Sequence, residues 1–247
     1  MGMVPWWPAP AGVRAFCSER DGGVSAAPYE SLNLGDHVGD DESAVAENRR
    51  RYAAALQARP VFLKQVHGQG VVRLDADTPD MTEADACWTR ERGVACTMMV
   101  ADCLPVLLAG GDGGIVGAAH CGWRGLAGGV LEALWAQMAP TAGPAQGMLA
   151  WLGPCIGPDA FEVGAEVRAA FLAHDPVSSD LFRPLAGGKF LADLPGLARR
   201  RLAALGITAI HGNDGSRAWC TVGNPSRFFS HRRDRVSGRL AASVWLV

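Results

Sequence analysis

Apolar residues in this chain come in short runs that stop at Gly, Pro, Asp or Asn. Residues 61–64 and 71–74 read as strands flanking the turn KQVHGQG. Residues 94–100 run into Ala101-Asp102-Cys103, 104–109 end at GGDGG, and 115–119 run into HCGWRG. Residues 148–152, 207–210 and 240–247 are the remaining predicted strands. Short apolar runs bounded by turn residues are the mark of buried strands. Helical spacing places a helix over 40–56, where Val45, Arg49, Tyr52 and Leu56 share a face and Asp41 or Ser43 can cap the start. Further helices are predicted over 126–138, 164–173 and 191–205, the last stopping at Gly206 as a C-terminal cap does. Residues 13–39 are rich in turn residues. Strands outnumber clean βαβ units, and several neighbours are joined by short turns. The predicted class is therefore α+β: one layered domain over residues 1–247, with mixed sheets flanked by helices.

Composition narrows the picture. The chain has 247 residues, 49% hydrophobic and 19% charged, enough for a substantial core and too apolar for a disordered protein. A net charge of −2 leaves no basic excess, so nucleic acid is not an expected partner. The Arg clusters at 49–51 and 199–201 fall in predicted helices and read as solvated faces. The start, MGMVPWWPAPAG, lacks the pattern of a signal peptide, and no run approaches a membrane span, so no membrane association is expected. Seven cysteines without framework spacing or a CxxC pair fit free thiols in a reducing compartment, and the expected location is cytoplasmic. Trp6 and Trp7 are candidates to pack against a neighbour, and the oligomeric state is left open.

The candidate chemistry sits where apolar runs stop. His67 in LKQVHG, Cys103 in VADCLPV and His120 in AAHCGWRG each lie at such a point. Two imidazoles and a thiolate suit zinc, and three protein ligands leave one position open, as in a catalytic site. Asp102 can orient a ligand or form a turn. Cys103 with a nearby His also fits a hydrolase nucleophile, and residue types alone do not separate the two roles. Cys121 points away from His120 if the segment is extended. Cys17, Cys87, Cys96, Cys155 and Cys220 read as buried thiols. Arg20 and Ser25 in RDGGVS, and the SHRRDRVSGR segment with Arg232 and Arg233, offer groups for an oxyanion.

These motifs, in order along nearly the whole chain, closely resemble the YfiH family: RDGGVS, SLNLGDHVGDD, KQVHG, VADCLPVLL, AAHCGWRGLAGGVL, WLGPCIGPDAFEVG, KFLADL and FFSHRRD…SGRLA. That family has been called multicopper polyphenol oxidoreductase, or laccase domain, and is described as a purine nucleoside phosphorylase family. The resemblance implies a mixed α+β fold and a zinc site on His67, Cys103 and His120. It implies phosphorolysis of adenosine, inosine and S-methyl-5'-thioadenosine, with adenosine deamination as a further activity. On this reading His67, Cys103, His120 and Asp102 are catalytic, and Arg20, Ser25, Arg232 and Arg233 are the candidates to bind substrate phosphate. The partners implied are small-molecule purine nucleosides and phosphate. The H-x-E and P-C-x-x-C deaminase signature is absent, so deamination requires another arrangement, with Asp102 and Glu162 as candidates to move the proton. Two positions depart from the family pattern: His231 stands where Tyr is common, and Cys121 where Ala is. The alternatives are a copper-dependent polyphenol oxidoreductase and a Cys/His hydrolase. Softer sulfur and imidazole ligands do suit copper, but the six histidines lack the paired H-x-H spacing of multicopper clusters.

Overall fold

The computed structural model describes residues 2–247. The first half of the chain forms β1 (Gly2–Met3), β2 (Val13–Ser18), α1 (Glu42–Leu56), β3 (Arg59–Phe62), β4 (Val71–Arg73), β5 (Ala86–Thr89), β6 (Val94–Val100), β7 (Leu104–Gly110) and β8 (Val116–Cys121). Then come α2 (Trp123–Gly128), α3 (Val130–Ala142), β9 (Met148–Leu152), β10 (Glu162–Val163), α4 (Ala165–Leu172), β11 (Phe182–Pro184) and β12 (Phe190–Ala192). The last elements are α5 (Leu194–Ala204), β13 (Ala209–Gly212), α6 (His231–Asp234) and β14 (Leu240–Leu246).

Two large sheets stack face to face. One has five strands in the order β1-β2-β14-β6-β3, the other six in the order β13-β9-β7-β8-β5-β4, and β10-β12-β11 form a small third sheet. Most pairs are antiparallel, but β3–β6, β4–β5 and β9–β13 are parallel, so the sheets are mixed, as expected for the α+β class. Cys96, Met98 and Val244 of the first sheet share a core with Leu107, Val116 and Trp151 of the second. Tyr52 and Leu56 of α1 cover the outer face of the first sheet over Phe62, Ala95 and Met99. Leu126, Leu131, Leu134 and Leu202 from α2, α3 and α5 cover the outer face of the second, over Val106, Leu108 and Ala119. The layers run helix–sheet–sheet–helix. This is why β6, β7, β8 and β14 are buried along their whole length and read as largely apolar runs: each has a core on both faces.

Asp41 caps α1 by accepting from the Ala44 amide at 2.9 Å. Four differences from the expected elements have physical causes. The helix expected over 126–138 is two helices, broken where Gly129 takes φ 102°. The segment expected at 191–205 begins as β12 and becomes helical only after Asp193, whose side chain caps α5. The strands on either side of KQVHGQG do not pair with each other; β3 belongs to one large sheet and β4 to the other. β1, β2, β5, β10 and β11 fall outside the predicted set, β1, β10 and β11 because they are only two or three residues long and β2 because its alternation of buried and exposed residues lies within a turn-rich stretch. No helix of the described residues is long and apolar enough to cross a membrane.

Candidate functional site: a His-Cys-His centre

Two passages between the large sheets lie at one end of the sandwich. The chain leaves β3, forms the loop that carries His67, and enters β4. It leaves β6 through Ala101-Asp102-Cys103 and enters β7. The antiparallel register of β7 and β8 sets Leu104 opposite Cys121 and Pro105 opposite His120, which brings the start of β7 beside the end of β8. His67, Cys103 and His120 thereby meet, with one donor atom from each lying within 4.8 Å of the others. Cys103 Sγ is 3.8 Å from His67 Nε2, and the two imidazoles meet edge to face at 4.8 Å between centroids. His67 is exposed, Cys103 half-buried, and His120 only 3% exposed. This donor set, a thiol between two imidazoles with one open side, can hold a metal ion.

Asp85, immediately before β5, organises the group. Its fully buried carboxylate accepts from three successive backbone amides: His67 on Oδ1 at 2.9 Å, and Val66 and Gly68 on Oδ2 at 3.1 and 2.7 Å. Oδ1 also lies 2.8 Å from His120 Nδ1. A carboxylate only accepts, so Nδ1 carries the proton and Nε2 of His120 is left to the site. These bonds offset the cost of burying the charge. Burial alone would raise the Asp85 pKa, but the His120 hydrogen bond and the amides outweigh it and hold the carboxyl below its ordinary value. The Gln65 side chain ties the same loop to β6, donating to Met99 O and accepting from Met99 N, both at 2.8 Å. His67 itself is held at φ 61°, a conformation uncommon outside glycine.

The same neighbours ionise the thiol. Burial pushes Cys103 up, but the His120 charge and hydrogen bonds from both imidazoles pull it down to about 6. Burial pushes His120 down, and the Cys103 and Asp85 charges raise it to about 9. A thiolate beside an imidazolium is therefore the favoured metal-free state between those values. Cys17, by contrast, is pushed up to about 12, and burial also raises Cys96, Cys121 and Cys155 well above the ordinary thiol value. All seven cysteines are free. Cys121 packs into the helix-side core, turned away from His120 as the strand alternation requires.

The trio forms part of the wall of a cavity of about 460 Å³. Met99, Val100, Ile156, Phe161 and Leu194 supply apolar surface, and Trp123 flanks the centre. His37, His231, Arg232, Arg235 and Arg239 line it as well. A cavity of this size with apolar walls and a few convergent polar groups suits a small molecule.

The other expected site residues fall differently. Asp102 lines the cavity, but both its oxygens are engaged: Oδ1 accepts from the Thr221 hydroxyl and Oδ2 from the Arg232 amide, each at 2.6 Å. Its carbonyl accepts from Ile156 N at 2.9 Å, so it ties three loops together. Arg232 lines the cavity, with Nη1 donating to Glu162 O at 3.1 Å. Arg233 turns inward to the carbonyls of Thr221 and Phe228 and does not line the cavity. Arg20 donates to Glu30 O and Pro225 O and stacks on Phe229. Ser25 donates to Asp40 and accepts from Asn48. Neither Arg20 nor Ser25 is brought to this cavity, because each is consumed in a loop-anchoring network. Glu162 is paired with Lys189 at 2.5 Å, outside the cavity lining. Sequence reasoning missed Asp85, His37 and Arg235. The acidic residue in EADACW directly before a strand was the one available signal for Asp85.

Residues 14–247 match the family model described as multi-copper polyphenol oxidoreductase laccase. A Pseudomonas aeruginosa protein named purine nucleoside phosphorylase is 52% identical, covering 99% of this chain and 98% of that one. The Escherichia coli K12 protein named purine nucleoside phosphorylase YfiH is 49% identical, with 99% and 98% covered. Among solved structures, a Neisseria meningitidis protein superposes with a TM-score of 0.94 at 44% identity, covering 99% of this chain and 98% of that one. YlmD from Geobacillus stearothermophilus superposes at 0.88 and 33% identity, with 97% and 93% covered.

Proposed function

Because the chain belongs to the multi-copper polyphenol oxidoreductase laccase family, and relatives spanning its full length carry the name purine nucleoside phosphorylase, we propose that it is a zinc-dependent purine nucleoside phosphorylase. Its substrates in this reading are adenosine, inosine and S-methyl-5'-thioadenosine with phosphate, and adenosine deamination is a second activity. Residues 1–247 act as one catalytic domain in the cytoplasm, a setting its free thiols suit.

The observation that carries this reading is the joining of the His67–Cys103–His120 group to an apolar and cationic cavity. The donor set fits zinc: an ionised thiol and two imidazoles, one fixed by Asp85 with Nε2 free. Zinc held by His67, Cys103 and His120 would supply a Lewis acid to the substrate. The protein's own groups do the rest. Asp85 fixes the donors, the apolar wall takes the flat base and excludes water, and the Arg side chains draw the anionic co-substrate to the reacting bond. Asp102 acts by positioning the loops of Thr221 and Arg232.

The test is product chromatography on adenosine with and without phosphate, beside metal analysis. Phosphate-dependent adenine release, with about one zinc per chain as a single such site requires, is the expected result. Release of no base from any purine nucleoside by metal-replete protein would sink the reading. One observation favours a second reading, a Cys/His hydrolase: Cys103 Sγ lies 3.8 Å from His67 Nε2, in nucleophile–base order, and the two imidazoles pull the thiol pKa down to about 6. In that case the metal-stripped protein is the active form. In a copper oxidoreductase, copper loading produces polyphenol oxidation and zinc does not.

A further inference from the structure

Five non-glycine residues among those described are held at positive φ, and three of them line the same cavity: His67 at 61°, Asp102 at 97° and Arg235 at 64°. That part of the backbone map favours glycine. A side chain kept there is over-determined by its surroundings, and such positions gather at functional sites. His67 belongs to the centre and Asp102 to its support. Arg235 belongs to neither.

Arg235 directly follows α6, with its amide donating to His231 O at 2.9 Å. Its neighbours in the segment are all anchored. Arg232 donates to Glu162 O, Arg233 to Thr221 O and Phe228 O, and Arg239 through Nη1 to Ser237 O and Gly238 O. The Arg235 guanidinium is exposed and makes no hydrogen bond or ion pair among the described residues. Asp102 is the one carboxylate in the cavity lining, and both its oxygens are already engaged. The positive charge that Arg232, Arg235 and Arg239 bring to the lining thus meets no free carboxylate there. Guanidinium groups in such a lining suit a tetrahedral oxyanion, which accepts bidentate hydrogen bonds.

We propose that Arg235 and Arg239 form an oxyanion subsite of this cavity, in which Arg235 supplies the free guanidinium that grips a phosphate group. The identity of the anion as phosphate rests on the phosphorylase reading. The phosphate can be inorganic, as co-substrate, or the ester of a nucleoside monophosphate. Both present the same dianion to the same two side chains.

Calorimetry of metal-replete protein, titrated separately with inorganic phosphate and with adenosine monophosphate, tests the subsite. Arg235→Gln should weaken binding of the phosphate-bearing probe by about tenfold or more, the loss of a charge-assisted hydrogen-bonded pair. Arg50→Gln, which removes an exposed cation from α1, should leave it within about twofold. Binding of inorganic phosphate that depends on Arg235 identifies the co-substrate, and binding of the monophosphate alone identifies the ester. The subsite is overturned if neither probe binds the unaltered protein, or if Arg235→Gln binds as tightly as the parent. Turnover separates this outcome from that of the phosphorylase reading. In Arg235→Gln the KM for phosphate should rise while the KM for adenosine holds. Unaltered protein that binds phosphate through Arg235 yet releases no base refutes the phosphorylase reading and keeps the subsite. Active protein with an unchanged phosphate KM in Arg235→Gln does the reverse.

Discussion

Asp85 shows how much one side chain decides. It fixes the backbone of His67 through three amides and the tautomer of His120 through one hydrogen bond. Asp85→Asn keeps the shape but removes the charge and sets an N–H against donors. Metal affinity should fall about 10- to 100-fold, as read by chelator competition, while the far-ultraviolet circular dichroism is retained. Unchanged affinity would remove Asp85 from its positioning role. Cys103 carries a second residue-scale consequence. Its pKa of about 6 means that the thiolate is the major form above that pH, where an ordinary thiol is still protonated. In metal-stripped protein, iodoacetamide should therefore label Cys103 at neutral pH, with a rate that rises through about 6. The cysteines whose pKa burial raises should stay unlabelled under the same conditions. A rate profile that rises only near 9, the ordinary thiol value, would show that the imidazoles do not ionise it.

At the scale of elements, the centre depends on the junction between β8 and α2. Gly122 caps α2 and follows Cys121, whose partner across the ladder is Leu104. A Cβ on Gly122 would stand 2.8 Å from His67 Cδ2 and 3.0 Å from Cys103 Sγ. Both atoms belong to the centre, so neither can give way without moving a donor. Gly122→Ala should cost about tenfold or more in metal affinity, as misplaced donors and their supports do, with little change in the unfolding transition. Gly147→Ala is the matched control: a Cβ there meets nothing within 4 Å, and stability should stay within about 0.5 kcal/mol. If Gly122→Ala binds metal as the parent does, the close approach is not what requires glycine.

For the whole molecule, stability and chemistry are separable. Leu107 is fully buried between the sheets. Leu107→Ala should lower stability by about 2–5 kcal/mol through lost burial and the cavity left behind. Because Leu107 packs in the core between the sheets and does not line the cavity, folded variant protein should keep parental metal affinity. Denaturant unfolding and chelator competition on the same sample check both halves. A loss of metal affinity in protein that is still fully folded would mean that the sheet–sheet core and the centre are coupled.

The amino-acid sequence alone determined most of the longer strands that are buried on both faces, although the short and equally buried β5 escaped it. The runs of β6, β7 and β9 show their limits directly, since burial on both sides leaves few polar positions to blur them. It also offered Asp41 and Ser43 as caps of α1, of which the structure uses Asp41, and brought forward His67, Cys103 and His120, because reactive residues stood at the ends of apolar runs. Their proximity was a matter of register and of two passages between sheets, which no local pattern encodes. Only the tertiary structure placed Asp85 beneath both histidines, since its partners lie 17 to 35 residues away. It likewise decided which arginines face the cavity. Arg20, Arg232, Arg233 and Arg235 are equivalent as residue types, and each was assigned by the carbonyls and carboxylates that folding brought within reach. Apolar burial is written in the order of residues, whereas the partner of a charged group is set by what the fold places beside it.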